Sequence, residues 1–289
     1  MPSSDDSFAI AHSFAQRFPK RIRAIRLDHN VGPAEARNRA IAESSDSELI
    51  ALLDADDYWL EGYLERQLAT YDRACAQGRR VGIVACNALI ETPDGIAGTF
   101  DQRFGWRDRI RYDDMLSRSY IMVSALFPRA AFEAVGGFFS PECWGTEDYD
   151  LWLRIMEAGY EVVTTREPLA VYRDHPGGIS KNELTAADAT IAAFSRALDR
   201  DAMKSSQRRR VKANLRHYRA LRERALVRQA VRERSPFRVA RLAVPAGFRG
   251  AVAFLQAPSR WEEWLTDLAR QAGGRIAHRN QAPERRRSC

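Results

Sequence analysis

The sequence predicts an α/β fold, a mostly parallel sheet with helices on both faces, followed by a basic helical extension. The apolar run 49–53 stops at a group of carboxylates, as a buried central strand does when its carboxyl end opens into a ligand-binding crevice. Strand-like runs then alternate with helix-like periodic segments. The net charge also changes sign at Lys204. The chain of 289 residues carries +7, but the part from Lys204 onward has 22 Lys and Arg against 6 Asp and Glu, which leaves −9 for residues 1–203.

The elements are predicted in order from local signals. A capped amphipathic helix runs from Ser7 to the break at Pro19, an alternating strand covers 22–27, and Gly32-Pro33 opens a helix. After the acids, the patterns predict a helix over 60–76, a strand over 81–89, a turn at 93–95, a strand over 122–127 and a helix over 129–135. A helix after Thr146 and short strands at 161–163 and 169–172 complete the α/β part.

Asp54, Asp56 and Asp57 are the first candidate site. Two carboxylates at a strand end repel each other unless a cation neutralises them, so Asp54 and Asp56 indicate a divalent-metal or sugar-hydroxyl site. Asp57 is better explained as the N-cap of the next helix. Arg37, one turn into its helix, could meet a phosphate or a carboxylate such as Asp54, or lie on an ordinary surface helix.

Glu147 and Asp148 are the second candidate site, at the start of a helix that Thr146 can cap. The helix dipole would keep such a carboxylate ionised, which a general base for a sugar hydroxyl requires. The alternative is a pair of ordinary helix-start acids. His175, on a glycine-rich turn after a strand, is either a ligand of metal or diphosphate or a solvated structural residue.

The order and spacing of three stretches resemble the inverting GT-A nucleotide-sugar glycosyltransferases of family 2 over roughly residues 3–182. These stretches are Asn30-x-Gly32 with Ala36-Arg37-Asn38, Leu53-Asp-Ala-Asp-Asp57, and Gly136-Gly-Phe with Gly145-Thr-Glu-Asp148-Tyr-Asp-Leu-Trp152. The resemblance implies a Rossmann-like sheet that binds a nucleotide-sugar and Mn²⁺ or Mg²⁺.

The resemblance also assigns roles to individual residues. Asp56 would be the main metal ligand, Asp54 would contact ribose or metal, and His175 would close on the diphosphate. The nucleotide side of the pocket would include Asn30, Gly32 and Arg37. The base that deprotonates the acceptor would be Asp148, with Glu147 beside it, and Trp144 would stack on a sugar or pack in the core.

The first residues of the chain resemble only the part of the family pattern that comes after its second strand. We therefore expect a GT-A-like domain over 1–182 that is incomplete at its N-terminus, and a helical basic region over 183–289.

The basic region begins with an apolar stripe on a cationic helix, formed by Val211, Leu215, Tyr218, Leu221 and Ala225. Three interpretations are open: an in-plane helix on an anionic membrane surface, a helix packed on the catalytic body, or nonspecific nucleic-acid binding. No apolar stretch reaches the ~20 residues of a membrane span, and the four cysteines lack metal-ligand spacing. These features favour a cytoplasmic protein, peripheral on the inner membrane face if the tail binds lipid.

The function predicted is an inverting, metal-dependent transfer of sugar from a nucleotide-sugar donor to a glycan or lipid-linked acceptor, in cell-envelope polysaccharide synthesis. The alternatives are a metal-dependent phosphohydrolase that uses Asp54 and Asp56, and a catalytically inactive binding or assembly module.

Overall fold

The computed structural model describes residues 6–44, 46–139, 145–178, 181–200 and 203–233. The chain divides into two compact units, Met1–Leu215 and Arg216–Cys289. The first unit carries the sheet and its flanking helices, and it is the unit in which the candidate site residues lie.

Six strands and nine helices occur in the described residues. The strands are β1 (Leu49–Ala51), β2 (Tyr58–Trp59), β3 (Val81–Thr92), β4 (Gly95–Thr99), β5 (Leu126–Pro128) and β6 (Glu161–Arg173). The helices are α1 (Ser7–Arg17), α2 (Gly32–Ala42), α3 (Tyr63–Ala76), α4 (Phe100–Phe104), α5 (Tyr112–Met115), α6 (Arg129–Ala134), α7 (Glu147–Glu157), α8 (Glu183–Asp199) and α9 (Ser205–Arg232).

The strands form one mixed sheet in the order β1-β5-β3-β6-β2, with β4 paired to β3. Within the described sheet only β3 and β6 run parallel, and the other pairs are antiparallel. The α/β prediction is confirmed, but the sheet is not mostly parallel. An apolar run indicates burial on both faces, which β3 has over most of its length, and it does not specify the direction of the neighbouring strand.

Helices cover both faces of the sheet, as predicted. Val81 packs in one cluster with Ala74 of α3, whereas the Cα of its neighbour Gly82 faces Ile155 of α7. Helices α3 and α7 therefore pack against different residues of β3.

The interior of α7 fixes the position of that helix. Leu151, Trp152 and Ile155 are fully buried, and the Trp152 ring meets Phe127 of β5 edge-on with 5.4 Å between centroids. A buried aromatic pair of this kind contributes about 0.5–1.5 kcal/mol beyond its area. The start of α7, with its two acids, is thereby held at one end of the sheet.

Two predicted strands differ from the structure. The run 49–53 is not a central strand: β1 has three residues, pairs only with β5 among the described strands, and Leu53 beyond it is 46% exposed. The segment 22–27 is not a strand, because an alternating segment needs a partner for its backbone N–H and C=O groups and none lies beside it in the described sheet.

Helix α9 begins on the first unit. Val211 and Leu215 are 0% and 4% exposed, and Asn214 Nδ2 donates to the carbonyl of Leu116 at 2.6 Å. The packing interpretation therefore holds for the start of the apolar stripe. Residues 234–289, which include the apolar and Trp-containing part of the predicted tail, lie outside the described residues. In the described chain no helix combines the length and the apolar character needed to cross a bilayer.

Candidate functional site

Three carboxylates converge just after β1. Asp54, Asp56 and Asp57 each present an oxygen, and these oxygens lie within 4.8 Å of one another. Asp56 is exposed, Asp54 is half-buried and Asp57 is buried. Carboxylate oxygens at this spacing suit a hard divalent cation such as Mg²⁺ or Mn²⁺. The predicted pair is thus extended by a third acid.

Asp57 does not cap the next helix, contrary to the prediction. The chain first enters β2, which pairs with β6, and α3 begins only at Tyr63, after Gly62 at φ 79°. Asp57 Oδ1 instead accepts the backbone N–H of Arg173, at 3.0 Å. Burial raises the pKa of Asp57 to about 6; the charges of Asp56 and Asp54 add to the effect and the hydrogen bond from Arg173 opposes it.

The start of α2 brings a second set of predicted residues towards the acids. Asn30 Oδ1 accepts the N–H of Gly32 at 3.0 Å, and Gly32 takes φ 79°, which favours glycine. Pro33 then lies on the wall of a pocket that also contains the acids. Asn30 and Gly32 shape the turn and are not among the described residues of that wall.

Arg37 connects the acids of β1 with those of α7. Its Nη2 lies 2.5 Å from Asp54 Oδ1, and its Nη1 contacts Glu147 Oε1. The Arg37 side chain is 15% exposed and that of Glu147 is 7% exposed. The predicted contact with Asp54 is confirmed, and Arg37 is a half-buried cation between two carboxylates.

Glu147 and Asp148 occupy different environments although they are adjacent. Both Glu147 oxygens have partners, since Oε1 meets Arg37 and Oε2 accepts the N–H of Gly145 at 2.8 Å. Asp148 has no such ion pair among the described residues. Burial, with the charge of Glu147 added, raises the pKa of Asp148 to about 7. Desolvation therefore favours the neutral carboxyl, opposite to the effect expected of the helix dipole, and the ionisation of Asp148 at neutral pH stays a prediction.

His175 lies beside the acids. It comes just after β6, and its Nε2 is 3.2 Å from Asp56 Oδ2. Arg173 holds the same loop, since its Nε donates to the Asp56 carbonyl. The structure thus brings together Asp56 and His175, two residues that are 119 positions apart in the sequence.

One pocket of about 400 Å³ contains most of these groups. Sequence reasoning missed several of its residues, which come from α4, the chain before β5 and the end of β6. A usable signal existed only for Phe104, which lies in a basic-aromatic stretch of the sequence. Trp144 and the neighbouring residues 140–143 lie outside the described part of the chain. The described wall consists of Pro33, Arg37, Asp54, Ala55, Asp56, Asp57, Phe100, Phe104, Ile121, Met122, Val123, Gly145, Glu147, Asp148, Tyr172, Arg173 and Gly178.

Residues 2–136 match the family described as Glycosyl transferase family 2. Among curated proteins, the chain is 29% identical over 177 residues to the putative teichuronic acid biosynthesis glycosyltransferase TuaG of Bacillus subtilis. The matched region covers 61% of this chain and 66% of TuaG. It is 29% identical over 242 residues to the succinoglycan biosynthesis protein ExoU of Rhizobium meliloti, covering 75% of this chain and 67% of ExoU.

A third relative is the UDP-Glc:α-D-GlcNAc-diphosphoundecaprenol β-1,3-glucosyltransferase WfaP of Escherichia coli, which is 28% identical over 182 residues, 63% of this chain and 66% of WfaP. The matches to these three relatives span about two thirds of the length of each.

Two solved structures share the fold. The mannosyltransferase PcManGT of Pyrobaculum calidifontis, in complex with GDP-Man and Mn²⁺, has a TM-score of 0.53 at 17% identity, covering 96% of this chain and 76% of that one. Residues 1–349 of S. aureus TarS, in complex with UDP-GlcNAc, have a TM-score of 0.57 at 14% identity, covering 95% and 80%. At such identities the likeness concerns the fold, which is GT-A-like. The match over residues 2–136, the three relatives and the GT-A-like fold together support a glycosyltransferase of family 2.

Proposed function

We propose that the protein transfers a sugar, with inversion, from a nucleotide-diphosphate sugar to a hydroxyl group of a glycan or lipid-linked acceptor. One observation carries the proposal: the acids after β1 and the acids that begin α7 line the same pocket of about 400 Å³. A volume of this size is in the usual range for small-molecule ligands. Transfer of a sugar from a diphosphate requires a group that neutralises the departing diphosphate and a base that activates the acceptor, both in one cavity.

The acids fit a divalent cation. Three carboxylates whose oxygens lie within 4.8 Å of one another supply hard ligands and a strong negative charge. Asp56, Asp54 and His175 are the residues that would hold Mn²⁺ or Mg²⁺, with Asp57 as a further ligand. Such an ion supplies charge neutralisation for the departing diphosphate.

Asp148 is the general base in this proposal. A carboxylate with a pKa near 7 combines sufficient basicity with a usable ionised fraction at neutral pH. Glu147 is held by Arg37 and by the N–H of Gly145, so both of its oxygens are already engaged. One base opposite the leaving group is enough for a single displacement, and a single displacement inverts the anomeric centre.

Arg37 and the turn from Asn30 to Gly32 form the nucleotide side of the proposed site. Arg37 is a planar donor that can exchange a carboxylate partner for a phosphate. The names of similar proteins include UDP-Glc, UDP-GlcNAc and GDP-Man as donors or ligands, so both uridine and guanosine donors are candidates for this chain.

The acceptor side extends the proposal to cell-envelope polysaccharide. WfaP is named for a diphosphoundecaprenol-linked acceptor, and TuaG and ExoU for teichuronic acid and succinoglycan biosynthesis. Residues 204–234 carry 12 Lys and Arg against 2 Asp and Glu, which would attract an anionic leaflet that contains such a lipid.

The experiment uses the full chain with Mn²⁺, a panel of labelled UDP- and GDP-sugars, and lipid-linked or oligosaccharide acceptors. Transfer is expected for the wild type and lost in Asp56→Ala and Asp148→Ala, while circular dichroism shows both variants folded. Sugar release that needs no acceptor would instead indicate a phosphohydrolase. Failure of every nucleotide-sugar to bind with Mn²⁺, measured by calorimetry, would leave an inactive assembly module. Undiminished transfer by either variant would remove that residue from its role.

A further inference from the structure

A second cavity lies at the opposite end of β6 from the candidate site. The candidate site includes Arg173, where β6 ends, whereas this cavity of about 640 Å³ is lined by residues 161–164, where β6 begins. At ~3.3 Å per residue, Thr164 of this cavity and Arg173 of the candidate site are about 30 Å apart along the strand. A smaller cavity of about 160 Å³ shares Arg79, Arg109, Glu161 and Val162 with it. We call the two cavities together the arginine groove.

One face of α3 forms a wall of the arginine groove. Thr70, Arg73 and Gln77 succeed one another at three- and four-residue spacing, so they share a side of the helix. The other wall comes from the loop 108–109, with Arg109. The groove is therefore assembled from separate parts of the chain, and none of its residues takes part in the proposed transfer chemistry.

Two arginines of the larger cavity lack an acidic partner among the described residues. Arg79 is paired, since its Nη2 lies 2.9 Å from Glu161 Oε2. Arg73 and Arg109 are exposed and form no ion pair with a described residue. Unpaired guanidinium groups on two walls of one cavity present forked donors that match a carboxylate or a phosphate.

The rest of the groove favours a sugar polymer over a nucleic acid. The Gln77 amide has no hydrogen bond to a described residue, and Asp108 Oδ1 accepts Trp106 Nε1 at 2.9 Å, which leaves Oδ2 for another donor. Amides and carboxylates bind hydroxyl groups. Asp108 and Glu161 would repel the closely spaced phosphates of a nucleic acid, whereas an acidic sugar places hydroxyls around a single carboxylate.

We propose that the arginine groove binds an acidic oligosaccharide, with sugar carboxylates on Arg73 and Arg109 and sugar hydroxyls on Gln77 and Asp108. This site is independent of the proposed transfer site and would hold an acidic glycan chain away from the reacting end.

Binding to the full-length protein is measured by calorimetry at 150 mM salt, with hexagalacturonate as the acidic probe and maltohexaose as the neutral one. The test variant is Arg73→Gln/Arg109→Gln. Two controls remove the same charge: Arg17→Gln/Arg23→Gln on the exposed N-terminal segment, and Arg216→Gln/Arg219→Gln on α9. None of these substitutions touches the proposed transfer site, so the result does not depend on transferase activity.

We expect saturable binding of hexagalacturonate to the wild type and no binding of maltohexaose. The affinity for hexagalacturonate should be at least tenfold weaker in the groove variant and within twofold of wild type in both controls. We also expect the backbone amides of residues 161–164 to be protected from hydrogen exchange on binding. Equal loss in the α9 variant, or no loss in the groove variant, would overturn it in favour of nonspecific attraction to the basic helix. Tighter, groove-dependent binding of a ten-residue oligothymidylate would overturn the assignment to a glycan.

Discussion

Arg37 and Glu147 are 110 positions apart in the sequence, yet their side chains form a nearly buried ion pair. The same guanidinium reaches Asp54, 2.5 Å away. Arg37 therefore joins α2 to both groups of acids and offsets their mutual repulsion in the absence of any ligand. In the proposed reaction it also leaves Asp148, and not Glu147, as the acid without an ion pair.

Replacement of Arg37 by Met is expected to destabilise the protein. It leaves the carboxylate of Glu147, only 7% exposed, without its cation, and loss of one partner of a buried pair costs about 3–5 kcal/mol. The free energy of unfolding, from urea titration, is the measurement. The double variant Arg37→Met/Glu147→Gln should recover about 1–3 kcal/mol of the loss, and Arg37→Lys should lose less than Met. A loss within about 0.5 kcal/mol for Arg37→Met, the usual range of a surface substitution, would contradict the importance of the pair.

The roles of Asp148 and Glu147 can be separated by isosteric amides. Asp148→Asn is expected to lower kcat by at least about 100-fold, the smaller end of the range for a general base, with nucleotide-sugar binding retained. Glu147→Gln should have a smaller effect on kcat, because Glu147 acts through its contact with Arg37. The reverse order of the two effects would make Glu147 the base.

The wild-type pH profile provides a second test of Asp148. Its pKa is raised to about 7, and the base must be ionised, so kcat/KM should rise with pH up to about 7 and level off above it. Glu147→Gln removes a neighbouring negative charge, which should move the rise to lower pH. An acidic limb near pH ~4, the ordinary range of an Asp, would contradict the raised pKa of the base.

Several site residues were predictable because their relationship is local in the sequence or carried by motifs. Asp54 and Asp56 come directly after an apolar strand, and the position of Arg37 on its helix allowed the contact with Asp54 that the structure contains. The resemblance placed Asp148 in the same site. Each of these predictions needed only a strand end, a helix turn or a motif.

Other features depended on contacts between distant parts of the chain. Asp57 was assigned to a helix cap because the pairing of Tyr58 with Val171, which extends the chain and buries Asp57, has no local signal. The same is true of the protonation of Asp148, since its raised pKa comes from burial in the folded pocket. The edge position of β1 and the mixed direction of the sheet also result from strand pairing, which an apolar run does not encode.

A thermal shift with Mn²⁺ tests the proposed cation site without catalysis. A ligand that binds only the native state at 100 times its Kd adds about 2.7 kcal/mol of stability, so Mn²⁺ with UDP or GDP should raise the Tm of the wild type. The rise should be absent in Asp56→Asn and reduced in His175→Ala, whose ring lies 3.2 Å from Asp56 Oδ2. The exposed Asp72 of α3 supplies the control, Asp72→Asn, which should respond like the wild type. An equal rise in all four proteins would place the ion elsewhere.

Gly82 allows β3 and α7 to approach closely, and a methyl group there should be destabilising. An added Cβ would lie 2.4 Å from Tyr160 Cβ and 2.6 Å from Ile155 Cγ2, so the helix that carries Asp148 would have to move. Overpacking of this kind costs about 1–3 kcal/mol, and Gly82→Ala should lower the free energy of unfolding by that amount. Gly95→Ala is the comparison, because its Cβ would meet nothing within 4 Å and only its φ of 111° opposes the change. Because the movement of α7 displaces Asp148, Gly82→Ala should also lower kcat, whereas Gly95→Ala should leave kcat unchanged. If the Gly82→Ala protein has wild-type stability and kcat, α7 is not held against β3 at this point.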